Sequence, residues 1–289
     1  MSAIDKIVLG TAQLGLDYGI NNILGKPSKQ VVDEILLYAF NVGIRELDTA
    51  EAYGDSQKVI GDFLKNHPQN TFSITTKMHL EGSSISNKIY KDLEELNVPF
   101  IDGYMFHNYK DYNQNPSLVD QLLDFKKIGL IKRLGVSLYT NEEAFNTLIN
   151  TEVDFIQIPF NILDNLNNRI EVLELANSKG IQVYVRSVFL QGLFFLDKSK
   201  YTNKLKPAIK YIDKIYQIAN DYNLSIQELC LGYVLTNKYV SKVVIGVESL
   251  SQLKNNFEII DNINIPKEVI ELINDIKVKE TEILNPSFW

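Results

Sequence analysis

Short runs of Val, Ile, Leu, Phe and Tyr return along this chain about every 30 residues, separated by longer stretches with apolar residues three and four apart. The first kind of run suits a strand buried on both faces, and the second suits an amphipathic helix. The expected strands are Lys6–Ala12, Ile44–Ala50, Phe72–Met78, Ile101–His107, Lys132–Leu138, Phe155–Phe160, Gln182–Phe189 and Val243–Val247. Helical stretches fall at Lys29–Asn41, Ser56–Asn66, Ser84–Leu96, Ser117–Ile128, Asn141–Ile149, Asn168–Ser178 and Ser225–Thr236. Two more, Leu250–Ile260 and Lys267–Ile276, follow the last strand. Gly43, Gly129 and Gly180 come just after three of these stretches, where a left-handed residue ends a helix.

Strand–helix units repeated through 289 residues with no long linker predict one α/β domain over residues 1–289. The expected architecture is a single (β/α)8 TIM barrel with an extra C-terminal helix and tail. The rival is an open doubly wound sheet with a Gly-x-Gly-x-x-Gly turn leading straight into a helix. Here the first strand runs into Gly10-Thr-Ala-Gln-Leu-Gly15-Leu-Asp-Tyr-Gly19, whose glycine spacing is wrong, and the Walker pattern is also absent. The barrel is the better reading.

Composition narrows the partners. Hydrophobic residues at 45% and charged residues at 22% are globular values that argue against disorder. The lone Cys230 allows no internal disulfide and no multi-cysteine metal site, and no metal is expected. With 29 Lys and Arg against 36 Asp and Glu, the formal net charge is -7, and no basic stripe points to nucleic acid. The nearest run, Lys126-Lys127 through Lys132-Arg133, reads as a helix end followed by a strand start. With no basic apolar leader and no long apolar run, the expectation is a soluble, cytoplasmic protein without a membrane partner. Oligomeric state leaves no legible mark.

In a barrel of this kind, chemistry sits where the strands end. Asp48 falls near the end of strand two, Lys77 of strand three, His107 of strand four and Ser137 of strand five, in steps of 29, 30 and 30 residues. One strand–helix unit separates each pair, so all four should reach one rim. Each has a plainer reading alone: Asp48 as a helix N-cap, Lys77 as a solvated strand end, His107 as a satisfied core histidine. The plainer reading of Tyr53, in the loop before Gly54, is that it packs on the barrel top. Together they bring an acid, a base, a phenol and an imidazole to one pocket. A nearby ammonium favours phenolate, and Asp48 would hold Lys77 charged and in place.

The stretch Gly43-Ile-Arg-Glu-Leu-Asp48-Thr-Ala-Glu-Ala-Tyr53-Gly54-Asp-Ser resembles the signature of the aldo-keto reductase superfamily, with Lys77 and His107 where that family has the rest of its tetrad. The resemblance runs from about Lys6 to Asn256. It implies an NAD(P)H-dependent oxidoreductase in which Tyr53 donates a proton to a substrate carbonyl. Lys77, paired with Asp48, would help stabilise the developing oxyanion, and His107 would orient the carbonyl.

The resemblance also implies a cofactor site without the Rossmann motif. Ser137 and Gln157 match residues that hold the nicotinamide amide, although Leu138 stands where Asn is common, with Asn161 a candidate helper. Arg186 takes a position that is often aromatic; a planar guanidinium can stack there or donate to phosphate or substrate. Ser187, Leu190 and Gly192 resemble residues that contact the pyrophosphate. Gly246, Glu248, Gln252 and Asn256 resemble the adenosine end, with Gln252 where an Arg often sits. NADP(H) is the family default and is favoured; Glu248 keeps NAD(H) open, since an acid repels a 2′-phosphate and accepts from a free ribose hydroxyl.

The expected partner is a small-molecule carbonyl substrate, met by the loops 13–26, 108–115 and 194–206 and the tail 283–289. Tyr18, Tyr109, Tyr112, Phe195 and Trp289 are candidate lining residues. The opening Leu-Gly-Thr-Ala-Gln-Leu-Gly-Leu-Asp-Tyr-Gly looks like bacterial aldo-keto reductases of surface-polysaccharide sugar pathways, which implies a keto-sugar or nucleotide-linked sugar. Two other functions fit the same residues: an NAD(P)-dependent alcohol or sugar dehydrogenase, and a cofactor-sensing regulatory module resembling potassium-channel β subunits.

Overall fold

A computed structural model describes residues 2–80, 84–149 and 152–289. Eight parallel strands close into a barrel in chain order: β1 (Ile7–Gly10), β2 (Glu46–Asp48), β3 (Ser73–Met78), β4 (Ile101–Phe106), β5 (Ile131–Ser137), β6 (Phe155–Pro159), β7 (Gln182–Arg186) and β8 (Lys242–Gly246). β8 pairs with β1 in the register Val8↔Val244, which seals the cylinder. The expected (β/α)8 architecture is what the chain adopts.

The surrounding helices form because their apolar positions share one face and their first turns are capped. Lys29–Asn41 buries Val32, Ile35, Leu36 and Ala39, at helical spacing, and the Ser28 hydroxyl accepts from the Val31 N–H. Burial of each of the Val, Ile and Leu side chains contributes about 1.5–3 kcal/mol. Ser225 and Glu228 form a reciprocal capping box at the start of Ile226–Leu235, a helix buried on nearly every side that includes Cys230. Three helices among the described residues were not expected. The single turn Ala12–Gly15 follows β1. Tyr109–Gln114 occupies most of the loop after β4, and Ile209–Asp221 lies between β7 and β8 with Tyr211, Ile212, Ile215, Ile218 and Ala219 buried. Beyond β8 come Leu250–Asp261 and Lys267–Asn274, then single 3-10 turns at Thr281–Leu284 and Pro286–Phe288.

Alternation along the strands sorts the barrel interior into layers. At the floor, Lys242 pairs with Glu46, and Arg133 donates to the Tyr184 hydroxyl (2.7 Å) and to Gln182 (2.9 Å). The waist is apolar, with Val8, Met105, Phe155 and Tyr184 packed together. Phe155 fits there because Gly135 faces it: a Cβ on Gly135 would stand 2.6 Å from the ring. Two residues further along each strand, at the mouth, come Asp48, Lys77, His107, Ser137, Gln157, Arg186 and Gly246.

Candidate active site

The mouth is organised around Asp48 and Lys77, which are 3% and 1% exposed. Asp48 is not a helix cap. One carboxylate oxygen pairs with the Lys77 ammonium, and the other accepts from Gln157 Nε2 at 2.8 Å across the barrel. Lys77 also donates to the Thr49 carbonyl at 3.0 Å. Burial pulls the Lys77 ammonium down, but Asp48 and then Tyr53 outweigh it and hold its pKa above the ordinary value. It therefore stays charged in a dry place.

Tyr53 is held by its backbone. Its N–H donates to the Ala50 carbonyl, and its own carbonyl accepts from Ser56. Gly54 has φ +59°, and a Cβ there would meet the Gly15 carbonyl oxygen at 2.4 Å. A Cβ on Gly15 would in turn meet the Tyr53 carbonyl oxygen at 1.9 Å, so these two glycines let the Tyr53 turn press onto the helical turn Ala12–Gly15 that follows β1. Below it, the Thr49, Ser56 and Thr11 hydroxyls form a buried cluster, and Thr11 donates to the Asp48 carbonyl at 2.9 Å. The Tyr53 ring sits with its centroid 4.9 Å from Lys77 Nζ and meets the His107 ring edge-to-face at 5.8 Å.

His107 is not a satisfied core histidine: its Nδ1 is buried with no partner among the described residues. Burial, then the Lys77 and Arg186 cations, push its pKa down to about 3, so the imidazole is neutral at pH 7. A neutral ring carries one N–H to offer a ligand.

A cavity of ≈ 560 Å³ opens over these groups. Its wall includes all four tetrad candidates and nine of the ten residues expected at a cofactor: Ser137, Gln157, Arg186, Ser187, Gly192, Gly246, Glu248, Gln252 and Asn256. Leu190 does not line the cavity. It is fully buried in the apolar core beneath the loop. Ser187, Leu190, Gln191 and Gly192 all have positive φ, so the backbone there winds tightly enough to tuck the leucine under. Leu138 is likewise fully buried and reaches the site only through its carbonyl, and Asn161 supports Ser187 by donating to its carbonyl at 3.1 Å.

Of the substrate candidates, Tyr18 and Phe195 line the cavity, whereas Tyr109, Tyr112 and Trp289 do not. Burial raises the Tyr18 pKa, and its hydroxyl accepts from Gln191 Nε2 at 3.0 Å, joining the loops after β1 and β7. The tail contributes Pro286 and Ser287. Gln13, Asn21 and Tyr139 were not singled out from sequence, because polar loop residues there carry no pattern. Behind β3 lies a second unanticipated polar cluster. Asp92 accepts from Gln57 (3.0 Å) and Tyr104 (2.9 Å), and Glu51 pairs with Lys88 (2.8 Å). Burial, then Glu51, push Asp92 up to about 7.

Residues 6–278 match the family model described as Aldo/keto reductase family. The chain belongs to the aldo/keto reductase family. As a member it is an oxidoreductase, of a family that uses nicotinamide cofactors. It is similar to the NADH-specific methylglyoxal reductase of Escherichia coli, with 26% identity over 90% of this chain and 94% of the relative. It is also similar to D-arabinose 1-dehydrogenase of Saccharomyces cerevisiae, with 24% identity over 90% and 85%. An aldo-keto reductase of Bacillus halodurans in its holo form shares the fold, with a TM-score of 0.76 at 21% identity over 94% of this chain and 92% of that one. In this aldo/keto reductase, no helix among the described residues is long and apolar enough to cross a membrane, and no group of metal-ligating side chains occurs among them.

Proposed function

We propose that the protein reduces the carbonyl of an aldehyde or ketone, with Tyr53 as proton donor. The observation that carries this reading is the convergence of Tyr53, the charged Lys77–Asp48 pair and a neutral His107 on one cavity. A reduced nicotinamide, when bound, supplies the hydride. Tyr53 gives its hydroxyl proton to the carbonyl oxygen, and the Lys77 cation stabilises the negative charge that gathers on Tyr53 and the substrate oxygen. His107, kept neutral by burial and its cationic neighbours, offers an N–H that orients the carbonyl. Asp48, fixed by Gln157, keeps Lys77 aimed and charged.

The cavity fits a nicotinamide dinucleotide. Gln157 spends its Nε2 on Asp48, which leaves its amide oxygen and the Ser137 hydroxyl to hold a carboxamide. At the other end Asn256 has a buried Oδ1 with no partner among the described residues, an acceptor suited to the adenosine part. The family default favours NADP(H), but the cavity wall favours NAD(H). Its described cations are Lys77 and Arg186, at the ends of β3 and β7, and Glu248 stands where a 2′-phosphate would need a cation. The Escherichia coli relative is NADH-specific by name, which agrees.

The substrate class is a keto-sugar or a nucleotide-linked sugar carbonyl, in keeping with an open cavity that mixes polar and apolar side chains and with relatives named for sugars. The test is oxidation of NADH and NADPH with methylglyoxal, aldoses and nucleotide-linked keto-sugars, with Tyr53→Phe in parallel. Turnover that falls at least about a hundredfold in the variant supports the reading. Undiminished turnover in Tyr53→Phe removes it.

A further inference from the structure

Arg186 is the one described cation of the cavity that no carboxylate claims. Lys77 spends its charge on Asp48, whereas among the described residues the Arg186 guanidinium makes only two hydrogen bonds, both long, to Ser187 Oγ at 3.3 Å and to the Leu138 carbonyl at 3.4 Å. Its flat face lies 4.2 Å from the centroid of the Tyr139 ring. The side chain is therefore held in place while most of its donors remain unspent. A partly buried guanidinium in that state is costly unless an anion completes it.

Direction decides which anion. Arg186 ends β7, and its side chain leans across β6 toward Leu138 and Tyr139 at the end of β5. Gly246, Glu248 and Gln252 lie on the opposite side, at β8. The guanidinium thus turns away from the adenosine end and toward the tetrad, and its charge is felt at His107 and at Tyr18.

We infer that Arg186 receives a carboxylate or phosphate carried by the substrate, so that the preferred carbonyl compound is an anion. This rests on the reduction reading above and narrows it. The fork of a guanidinium matches both groups in a bidentate manner, and one acidic group held there would leave the carbonyl free to reach Tyr53 and His107. An anion of either origin, substrate or cofactor pyrophosphate, would satisfy Arg186, and the experiment separates the two.

Rates with NADH are measured for two pairs of aldehydes that differ in charge: succinic semialdehyde against butanal, and glycolaldehyde phosphate against glycolaldehyde. Wild type is compared with Arg186→Gln and Arg186→Lys. The NADH dissociation constant of each protein is measured by fluorescence, and succinate is titrated calorimetrically into each NADH complex. The expected result is a preference in kcat/KM of about tenfold or more for the charged member in the wild type. The ratio should fall toward unity in Arg186→Gln and lie between in Arg186→Lys, which keeps the charge and loses the fork. Succinate should bind the wild-type complex and not that of Arg186→Gln. A wild type with no preference overturns the inference. So does Arg186→Gln that loses NADH affinity while keeping the ratio, since the anion is then the cofactor's. If no aldehyde is reduced, the reduction reading fails on its own, and the succinate titration still decides: binding lost in Arg186→Gln upholds the anion site, and no binding to wild type overturns it.

Discussion

Glu46 and Asp48 lie on the same strand, both turned into the barrel, and they lead opposite lives. At the floor, Glu46 pairs with Lys242 and accepts from Tyr184 at 3.2 Å, and Tyr184 accepts from Arg133. The groups there satisfy one another. At the mouth only Asp48 and Lys77 are settled, while His107 has an orphaned nitrogen and Arg186 has donors to spare. Buried polar groups left incomplete cost stability, and a fold keeps that cost where a ligand will meet it. The floor holds the cylinder together, and the mouth is held ready.

The largest effect that separates the two layers is expected from Lys77→Met. It strands the buried Asp48 carboxylate, which costs about 3–5 kcal/mol in urea unfolding. It should also lower turnover by about a hundredfold or more. Adding Asp48→Asn should restore much of the stability and none of the turnover; recovery of both would dissolve the distinction. Next comes Arg133→Met at the floor, which should cost about 1–3 kcal/mol while kcat/KM per folded molecule holds. A matching loss of kcat/KM would show that floor and mouth are coupled. Gly135→Ala at the waist, where the new methyl meets Phe155, should cost a similar ~1–3 kcal/mol.

The pH dependence of stability should belong to the mouth and to the cluster behind it. His107 has a folded value of about 3, below the 6.5 of a free imidazole, so the unfolded chain takes up the proton first. Its contribution is present above pH 6.5 and is lost as pH falls toward 3, by up to about 1.4 kcal/mol per unit. Asp92 runs the other way: its folded value of about 7 lies above 3.8, so its contribution is present at low pH and lost as pH rises through 7. Below pH 6.5 the two slopes oppose each other, so urea unfolding from pH 5 upward should show stability that falls toward pH 7 in His107→Asn and rises toward pH 6.5 in Asp92→Asn. The smallest effect is expected at the far end of the cavity. Glu248→Gln should raise affinity for NADPH relative to NADH by about threefold to tenfold, measured by fluorescence titration.

The mouth was legible in the sequence because one period governs it: a strand–helix repeat near 30 residues brought Asp48, Lys77, His107 and Ser137 to one rim. The floor was not, since Glu46, Arg133 and Lys242 look like ordinary charged strand starts until closure brings them together. Ile209–Asp221 escaped notice although its apolar face is regular. It grows out of a 3-10 turn that contains Pro207 and has no side-chain cap, so nothing in the sequence marks its start. That Leu190 tucks its side chain under the loop was not legible, because left-handed backbone at non-glycine residues leaves no compositional trace.

Phe155, wedged against Gly135 and ringed by Val8, Met105 and Tyr184, gives the barrel a single door. Nothing passes through the cylinder, so whatever enters must leave by the way it came. Traffic through that doorway is then necessarily sequential for any two ligands that share it, the deeper one arriving first and departing last. A bulky carrier attached to the reacting group stays on the threshold, where the loops after β1 and β7 meet at Tyr18 and Gln191.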